Sequence, residues 1–594
     1  MAVEATRKHV GGGFLINPAG SDTVFSPEAF TDEQRMMAQT ADRFMTGEVD
    51  PLADEIDAQQ PGLMRSLVEK AGDLGLLATD IPEEYEGLGL GLTVSTILAD
   101  YLAGEASFGV AWGAHTTIGS MPIIFFGTDA QKQQWLPGLA TGKTVAAYAL
   151  TEPGAGSDAM GLKTSAVLDG DVYVINGQKQ WISNAGFADM FSAFAKVDGK
   201  ITAFIVPSNA PGISLGAEEK KMGIKGSSTR TVYFDNVRVP VTDVLGEIGK
   251  GHKIAFNILN IGRLKLGAST TGGSRRVIGL VAKYVTERRA FNKTLSQFGL
   301  IQKKIGVMAV ETYASEAATY RTAGLIEEKL ETTDHSPAES LGAIEEYALE
   351  CSIVKVLGSE TLAHVVDQGV QIFGGYGFMH EYPIEKAYRD ARITRIFEGT
   401  NEINRMLASG TLVKRALTGR VGLLDAAKAA DEAIAANTMP ALDVPAELHE
   451  AAEILERAKA AATSVLVRAS TQYLNSIESE QEFLSDAADI MINLFAMDSA
   501  VERASSALRR GAANAHVHTL SARLAVWHYL PGVQRALEEI LENLSIDSAT
   551  SERDAEQAKI RNYIGSYHLA STPALRELAG IVIERGGYTF GAVN

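Results

Sequence analysis

Tyr148-Ala149-Leu150-Thr151-Glu152-Pro153-Gly154-Ala155-Gly156-Ser157-Asp158 stands where the chain changes its hydrophobic period. Residues before it read as helical. Thr31-Asp32-Glu33-Gln34 has the form of a capping box, in which a Thr hydroxyl and a Gln side chain satisfy free amides at a helix start. Met37, Thr40, Ala41 and Phe44 then share one helix face. Pro51, Pro61 and Pro82 punctuate this region, and Glu86–Gly91 interrupts it with a glycine-rich loop. Residues after it read as strands. Asp169-Gly170, Asn176-Gly177 and Asp198-Gly199 are two-residue hairpin signals, because such pairs tolerate the positive φ of primed turns. Val172–Ile175, Ile201–Val206 and Thr229–Val239 are β-rich runs, the last ending at Pro240. Gly154-x-Gly156-x-x-Ala159 matches a loose dinucleotide fingerprint, which needs a helix opening on its glycines inside a parallel βαβ unit. Here the glycines lead into hairpins, which argues against a nicotinamide-binding Rossmann site.

Helical periodicity returns at about Gly251 and runs to about residue 417, visible at Ile301, Ile305, Met308 and Thr312. After Gly419 the chain is rich in Ala, Glu, Arg and Leu; Pro440 and Pro445 mark a linker, and amphipathic helices follow to the end. The expected organisation is multidomain α+β: an extension (1–25), a helical domain (26–145), an antiparallel β domain (146–250), a second helical domain (251–417) and an additional helical domain (418–594).

The 594 residues carry 54 Lys+Arg against 73 Asp+Glu, a formal net charge of −19. With no basic cluster to displace counterions, nucleic acid is not an expected partner. Cys351 is the single cysteine, which excludes an intrachain disulfide and a cysteine zinc site and fits a reducing compartment. No metal site is expected. Apolar runs such as Met121–Phe126 fall far below the roughly 18 residues that cross a bilayer. Met1–Gly20, with only Arg7 and Lys8 as cations and no long apolar core, resembles neither a secretory signal nor a transit peptide, so a cytoplasmic location is expected.

Five further elements carry chemical possibilities, each with a plain alternative. Clustered Gly, Ser and Thr in 148–158 offer amides and hydroxyls to a polar ligand, or form an ordinary turn. Trp181-Ile182-Ser183-Asn184-Ala185-Gly186 offers an indole to a flat heterocycle and a hydroxyl to its edge, or a core Trp. Glu287-Arg288-Arg289-Ala290-Phe291 offers an Arg fork to a phosphate, or a solvated helix face. Gln371–Phe378 clusters glycines that let a ligand approach the backbone, or that cap a helix. In Tyr388–Ile403, Glu398 lies between Phe397 and a helix-breaking Gly399-Thr400 pair. A carboxylate among apolar neighbours has a raised pKa and can serve as a base; a lone Glu is otherwise a surface residue.

Together these elements resemble the acyl-CoA dehydrogenase family. Leu150–Asp158, Trp181–Gly186, Glu287–Phe291, Gln371–Phe378, Glu381–Lys386 and Arg389–Ile403 occur in the family's order, and the 27-residue step from Gln371 to Glu398 is the family's step. The resemblance covers residues 26–417. Gln297–Gln302 and the residues beyond 417 look like the very-long-chain branch, which carries an added helical domain. The family fold is a helical domain, a β-barrel-like domain and a four-helix bundle.

The resemblance implies FAD-dependent α,β-dehydrogenation of long-chain fatty acyl-CoA to trans-2-enoyl-CoA, the first step of β-oxidation. Glu398 would be the base, hydride would pass to flavin N5, and electrons to an electron-transfer flavoprotein. Some branches place the base in an earlier helix, at the position of Gly262, which cannot serve. Matching positions put Arg263, Asn260, Ser157 and Gly399 at the acyl-CoA. They put Tyr148, Leu150, Thr151, Trp181 and Ser183 at the flavin ring and Ser157 at the pyrophosphate. Arg288, Phe291, Gln371 and Gly375 would come from a neighbouring subunit to the ADP half, with Thr400 and Glu402 near the adenine. Ala290 departs from the Thr or Gln often found there. Gly113 and Ala114 are small where medium-chain forms carry bulk, which would deepen the acyl cavity or serve packing alone. A homodimer follows, with at most weak membrane-surface contact, because the tail lacks a Lys/Arg stripe. An acyl-CoA oxidase and an assembly or scaffold protein are the alternatives that share this fold.

Overall fold

A computed structural model describes residues 10–20, 24–334, 336–544 and 550–591. The N-terminal region holds helices α1 (Asp32–Phe44), α2 (Leu63–Asp73), α3 (Gly91–Tyr101), α4 (Ala106–Gly113) and α5 (Asp129–Thr141). α1 starts at the capping box read from sequence: the Thr31 amide donates to Gln34 Oε1 at 2.9 Å, and the Gln34 amide donates to Thr31 Oγ1 at 3.2 Å. Its buried face is Met37, Ala38, Ala41 and Phe44. α4 runs on into a π-helical turn, Ala114–Gly119.

Eight strands follow: β1 (Ala146–Ala149), β2 (Ser165–Asp169), β3 (Val172–Ser183), β4 (Met190–Val197), β5 (Lys200–Pro207), β6 (Ile213–Leu215), β7 (Thr229–Pro240) and β8 (Val244–Leu245). They form one sheet in the order β6-β7-β3-β2-β4-β5-β8, and β1 lies parallel beside β4. Most other pairings are antiparallel, except for a parallel Ser165↔Lys196 contact between β2 and β4. Asp198-Gly199 forms the expected tight turn, with φ of 47° and 78° between the paired Val197 and Lys200. Gly170 also has positive φ, 67°, in the turn joining β2 to β3. Asn176-Gly177 does not turn the chain. It lies within β3, where the register to β7 slips between Ile175 and Gly177, making a bulge. A Cβ on Gly177 would come within 2.5 Å of Thr164 Oγ1, so glycine here serves a close approach.

The second helical region begins at Gly251, as expected. It comprises α6 (Gly251–Glu287), α7 (Gly299–Glu331), α8 (Ala348–Phe373), α9 (Pro383–Ala391) and α10 (Asn401–Leu417). The 37 residues of α6 make it about 56 Å long. It runs past α3, α7 and α8 and packs against each of them. After its end, Arg289-Ala290 pairs with Lys293-Thr294 around a turn whose Phe291 and Asn292 have φ of 49° and 62°.

Beyond residue 417, α11 (His449–Gln472), α12 (Gln481–Arg509), α13 (Ala515–Leu544) and α14 (Ser571–Arg585) share a continuous apolar core with α7 and α10. Residues 10–20 belong to this packing. The amides of Gly11, Gly12, Ala19 and Gly20 donate to the buried carboxylates of Glu346, Glu350, Glu456 and Glu502 at 2.5–2.9 Å. Arg503 is fully buried and holds Glu28 and Glu316, each at 2.7 Å, joining N-terminal region, bundle and C-terminal helices. Removing one partner of such a group would strand a buried charge. Among the described residues, no helix is long and apolar enough to cross a membrane.

Candidate functional site

The site is built on the turn between α9 and α10. Glu398 and Gly399 are consecutive left-handed residues, φ 58° and 82°. A non-glycine residue in that region is strained and persists only when its surroundings hold it. Three side chains do so. Asn404 Nδ2 donates to the carbonyls of Glu398, Gly399 and Thr400 at 3.3, 2.8 and 3.0 Å. Arg263 Nε, from α6, donates to the Glu398 carbonyl at 3.3 Å, while its Nη1 donates to Asn260 Oδ1 at 2.7 Å. Lys355 Nζ, from α8, donates to the Gly399 carbonyl at 2.8 Å and to Asn401 Oδ1 at 2.7 Å. Thr400 closes the arrangement as the N-cap of α10, its Oγ1 accepting from the Ile403 amide at 3.3 Å.

The Glu398 side chain is therefore aimed rather than free. Its Oε2 is out of solvent and has no hydrogen-bond partner, and it faces Gly262 so closely that a Cβ there would lie 2.7 Å away. Burial pushes its carboxyl up to about 7, against the pull of the Arg263 and Lys355 charges. Burial likewise brings the Lys355 ammonium down to about 7, although Glu398 opposes this. The carboxyl lines a cavity of about 420 Å³, together with Ser183, Thr117 and a long face of α6. Gly113 and Ala114 border the same space.

Beside it lies the 148–158 segment. β1 carries Tyr148, whose Oη is buried without a partner and whose ionisation is opposed by burial and by the charge of Glu398. Lys179 Nζ is buried, donates to the Leu150 carbonyl at 3.1 Å and pairs with Glu152 at 2.7 Å. Glu152 in turn accepts from the Lys163 and Thr164 amides at 2.6 and 3.1 Å. The loop is thus pinned from beneath. Its outer side is open: a Cβ on Gly154 or Gly156 would meet nothing within 4 Å, and Ser157 is exposed. Gln180 donates to the Thr151 carbonyl at 2.8 Å, which brings Trp181 alongside. Trp181 is no core residue: it has φ 60° and its surface is 58% exposed. A bare indole and an open glycine loop leave room for a flat heterocycle with a polar tail.

Arg288, Phe291, Gln371 and Gly375 do not join this group. They lie at the C-terminal ends of α6 and α8, about 39 Å along α6 from Gly262. There Tyr284 stacks on Phe373 at 3.8 Å, the Arg288 guanidinium lies 5.0 Å from the Tyr376 ring centre, and Phe291 is 89% exposed. Glu402 is exposed on the first turn of α10, where its own amide and Thr400 hold its carboxyl below the ordinary value. Sequence reasoning misses Lys355 and Asn404. A lysine inside the apolar run Ile353–Leu357 is the signal that marks the first. The second has none beyond its place four residues after the Thr400 cap.

The chain matches family models for the acyl-CoA dehydrogenase N-terminal domain over residues 31–143, the middle domain over 147–237 and the C-terminal domain over 249–412. A further acyl-CoA dehydrogenase C-terminal domain matches residues 457–544. It belongs to the acyl-CoA dehydrogenase family, and is an FAD-dependent oxidoreductase. It is 50% identical over 515 residues to a probable acyl-CoA dehydrogenase of Bacillus subtilis, covering 86% of each chain. It is 36% identical over 545 residues to the human mitochondrial very long-chain specific acyl-CoA dehydrogenase, covering 86% of this chain and 80% of that one. Among solved structures, an acyl-CoA dehydrogenase of Bacillus anthracis complexed with FAD superposes with a TM-score of 0.94 at 42% identity, covering 98% of this chain and all of that one.

Proposed function

We propose that this protein is a cytoplasmic long-chain acyl-CoA dehydrogenase that uses Glu398 to take the proton from the carbon next to the thioester carbonyl. The observation that carries the reading is the unpartnered Glu398 carboxyl oxygen in the lining of a cavity of about 420 Å³, opposite a glycine that leaves it space. A base poised near pH 7 combines the right protonation state with adequate strength. The Glu398 carbonyl accepts from Arg263 and Asn404, and the residue's own N–H is the backbone donor that would meet the thioester oxygen. A fixed donor aimed at developing charge in a dry site contributes about 2.7–4 kcal/mol. Arg263 and Lys355 keep the turn from relaxing as the carboxyl gains and loses its proton.

FAD, when bound, accepts hydride from the neighbouring carbon. Tyr148, Leu150, Thr151, Trp181 and Ser183 are the residues to hold its ring, with Ser157 at the pyrophosphate. Arg288, Phe291, Gln371 and Gly375 are too distant to reach the same molecule from this chain. Their place is the ADP half of a cofactor bound mainly by a second copy, which makes the active form a homodimer. Thr400 and Glu402 stand at the start of α10 for the adenine end. Electrons leave to an electron-transfer flavoprotein.

Long-chain preference is supported by the length of the cavity. Gly262 and Arg276 both line it, about 21 Å apart along α6. A chain advancing about 1.2 Å per bond, as an extended backbone does, would span that length with about 17 carbons. The test is anaerobic titration of the purified yellow protein with saturated acyl-CoAs of 4 to 20 carbons. Bleaching of the flavin strongest near 16 carbons supports the reading, and no bleaching by any of them overturns it.

A further inference from the structure

We propose that the Arg276–Asp50 ion pair closes the far end of this cavity and sets the longest acyl chain the enzyme accepts. The inference rests on the dehydrogenase reading above and adds a named determinant to it. Gly262, Ser269, Gly273 and Arg276 recur on one face of α6, so the cavity follows that helix from the Glu398 carboxyl to the guanidinium. Small residues of the opposite wall, Gly104, Ala106, Gly109 and Gly113, leave this path open.

At its end the lining changes from apolar to charged. Arg276 Nη2 meets Asp50 Oδ2 at 2.6 Å, with 38% and 18% of the two side chains exposed. The pair thus stands between cavity and solvent. A Cβ on Gly104 would come within 3.1 Å of Arg276 Nη1, so the guanidinium is laid directly against the backbone of the opposite wall. Lys386, also at this end, is held differently: Glu105 at 2.7 Å and Asp390 at 2.9 Å fix it from two sides, and it is the more buried cation. Arg276 has Asp50 as its one ion-pair partner among the described residues. It is the part of the end wall that can give.

A chain that just reaches the pair ends its methyl group against it. A longer one must part the ions or fold back, and each methylene left unenclosed forgoes about a fourfold gain in binding. Four carboxylates and two cations surround this end, so an ω-carboxylate is not a favoured terminus.

The experiment measures second-order flavin bleaching by acyl-CoAs of 12, 16, 20 and 24 carbons in the holoenzyme and in Arg276→Ala, Arg276→Lys and Asp50→Ala. The parent should lose rate steeply above about 17 carbons, the length reckoned from α6. In Arg276→Ala and Asp50→Ala the ratio of the 24- to the 16-carbon rate should rise about tenfold or more, because a long chain that can pass the end keeps the burial of two or more methylenes that folding back would lose. Arg276→Lys should restore the parent ratio. Unchanged ratios in both alanine variants, with the parent bleaching normally on 16 carbons, would overturn the gate while leaving the dehydrogenase reading intact. Failure of the parent on every chain length would remove the dehydrogenase reading, and this inference with it. Should Arg276→Ala not fold, Asp50→Ala decides alone.

Discussion

The two ends of α6 are built on opposite plans. Near Gly262 the carbonyls of the Glu398 turn are all taken: Arg263, Lys355 and Asn404 hold the backbone, and a carboxyl oxygen is left over. Past Glu287 the groups lie open, with Phe291 and Phe378 89% and 86% exposed and Arg288 laid over a surface tyrosine. The first end is complete within one chain. The second is the surface proposed to meet a neighbouring copy's cofactor. Proton chemistry demands preorganisation inside a single fold, whereas a cofactor's tail can be held across a surface between two copies.

Damage at the inner end should abolish chemistry and leave assembly alone. Glu398→Gln keeps the shape of the side chain and removes the base, so flavin bleaching by palmitoyl-CoA should slow by about 10²–10⁴-fold, while flavin content and dimerisation stay at parent levels. The same variant carries a stability signature. Burial raises the Glu398 carboxyl from 4.5 to about 7, so its contribution to stability is fully present below pH 4.5 and is lost as pH rises through 7. Denaturant unfolding should show Glu398→Gln gaining on the parent by up to about 3 kcal/mol between pH 5 and pH 8. Equal gaps at both pH values would mean that the carboxyl is solvated.

Gly262→Ala acts on the same end, because the three atoms its methyl group would meet first all belong to the Glu398 carboxyl. Bleaching should fall about 10²-fold, the effect of an ångström of misplacement, with little loss in Tm. At the outer end, Arg288→Ala should weaken FAD retention about 10–100-fold, the value of a lost charge-assisted hydrogen bond, measured by dilution-induced flavin release. Its bleaching rate per bound flavin should match the parent's. A slowed rate per flavin would join the two ends and break the division drawn between them.

Features governed by neighbouring residues are legible in the amino-acid sequence by itself. Thr31-Gln34, Asp198-Gly199 and the helix start at Gly251 follow from local chemistry, and all three stand where their residues place them. Asn176-Gly177 has the composition of a turn and makes a bulge instead, because the choice between the two lies in Thr164 and in the register of β7, neither of which is local. Glu398 is legible only in company with the other family segments. Nothing about a single glutamate announces burial. Lys355 and Asn404 escape sequence reading for the same reason in stronger form: Lys355 acts on a carbonyl 44 residues away, and what it meets there is backbone, which no side-chain pattern reports.

The most direct test of Glu398 as the proton acceptor is the pH dependence of the second-order rate of flavin bleaching by palmitoyl-CoA, which reports groups in the free enzyme. The expected profile rises about tenfold per unit at low pH and levels off above about 7, and the bend disappears in Glu398→Gln. A parent profile without that bend, or the same bend in the variant, would contradict the assignment.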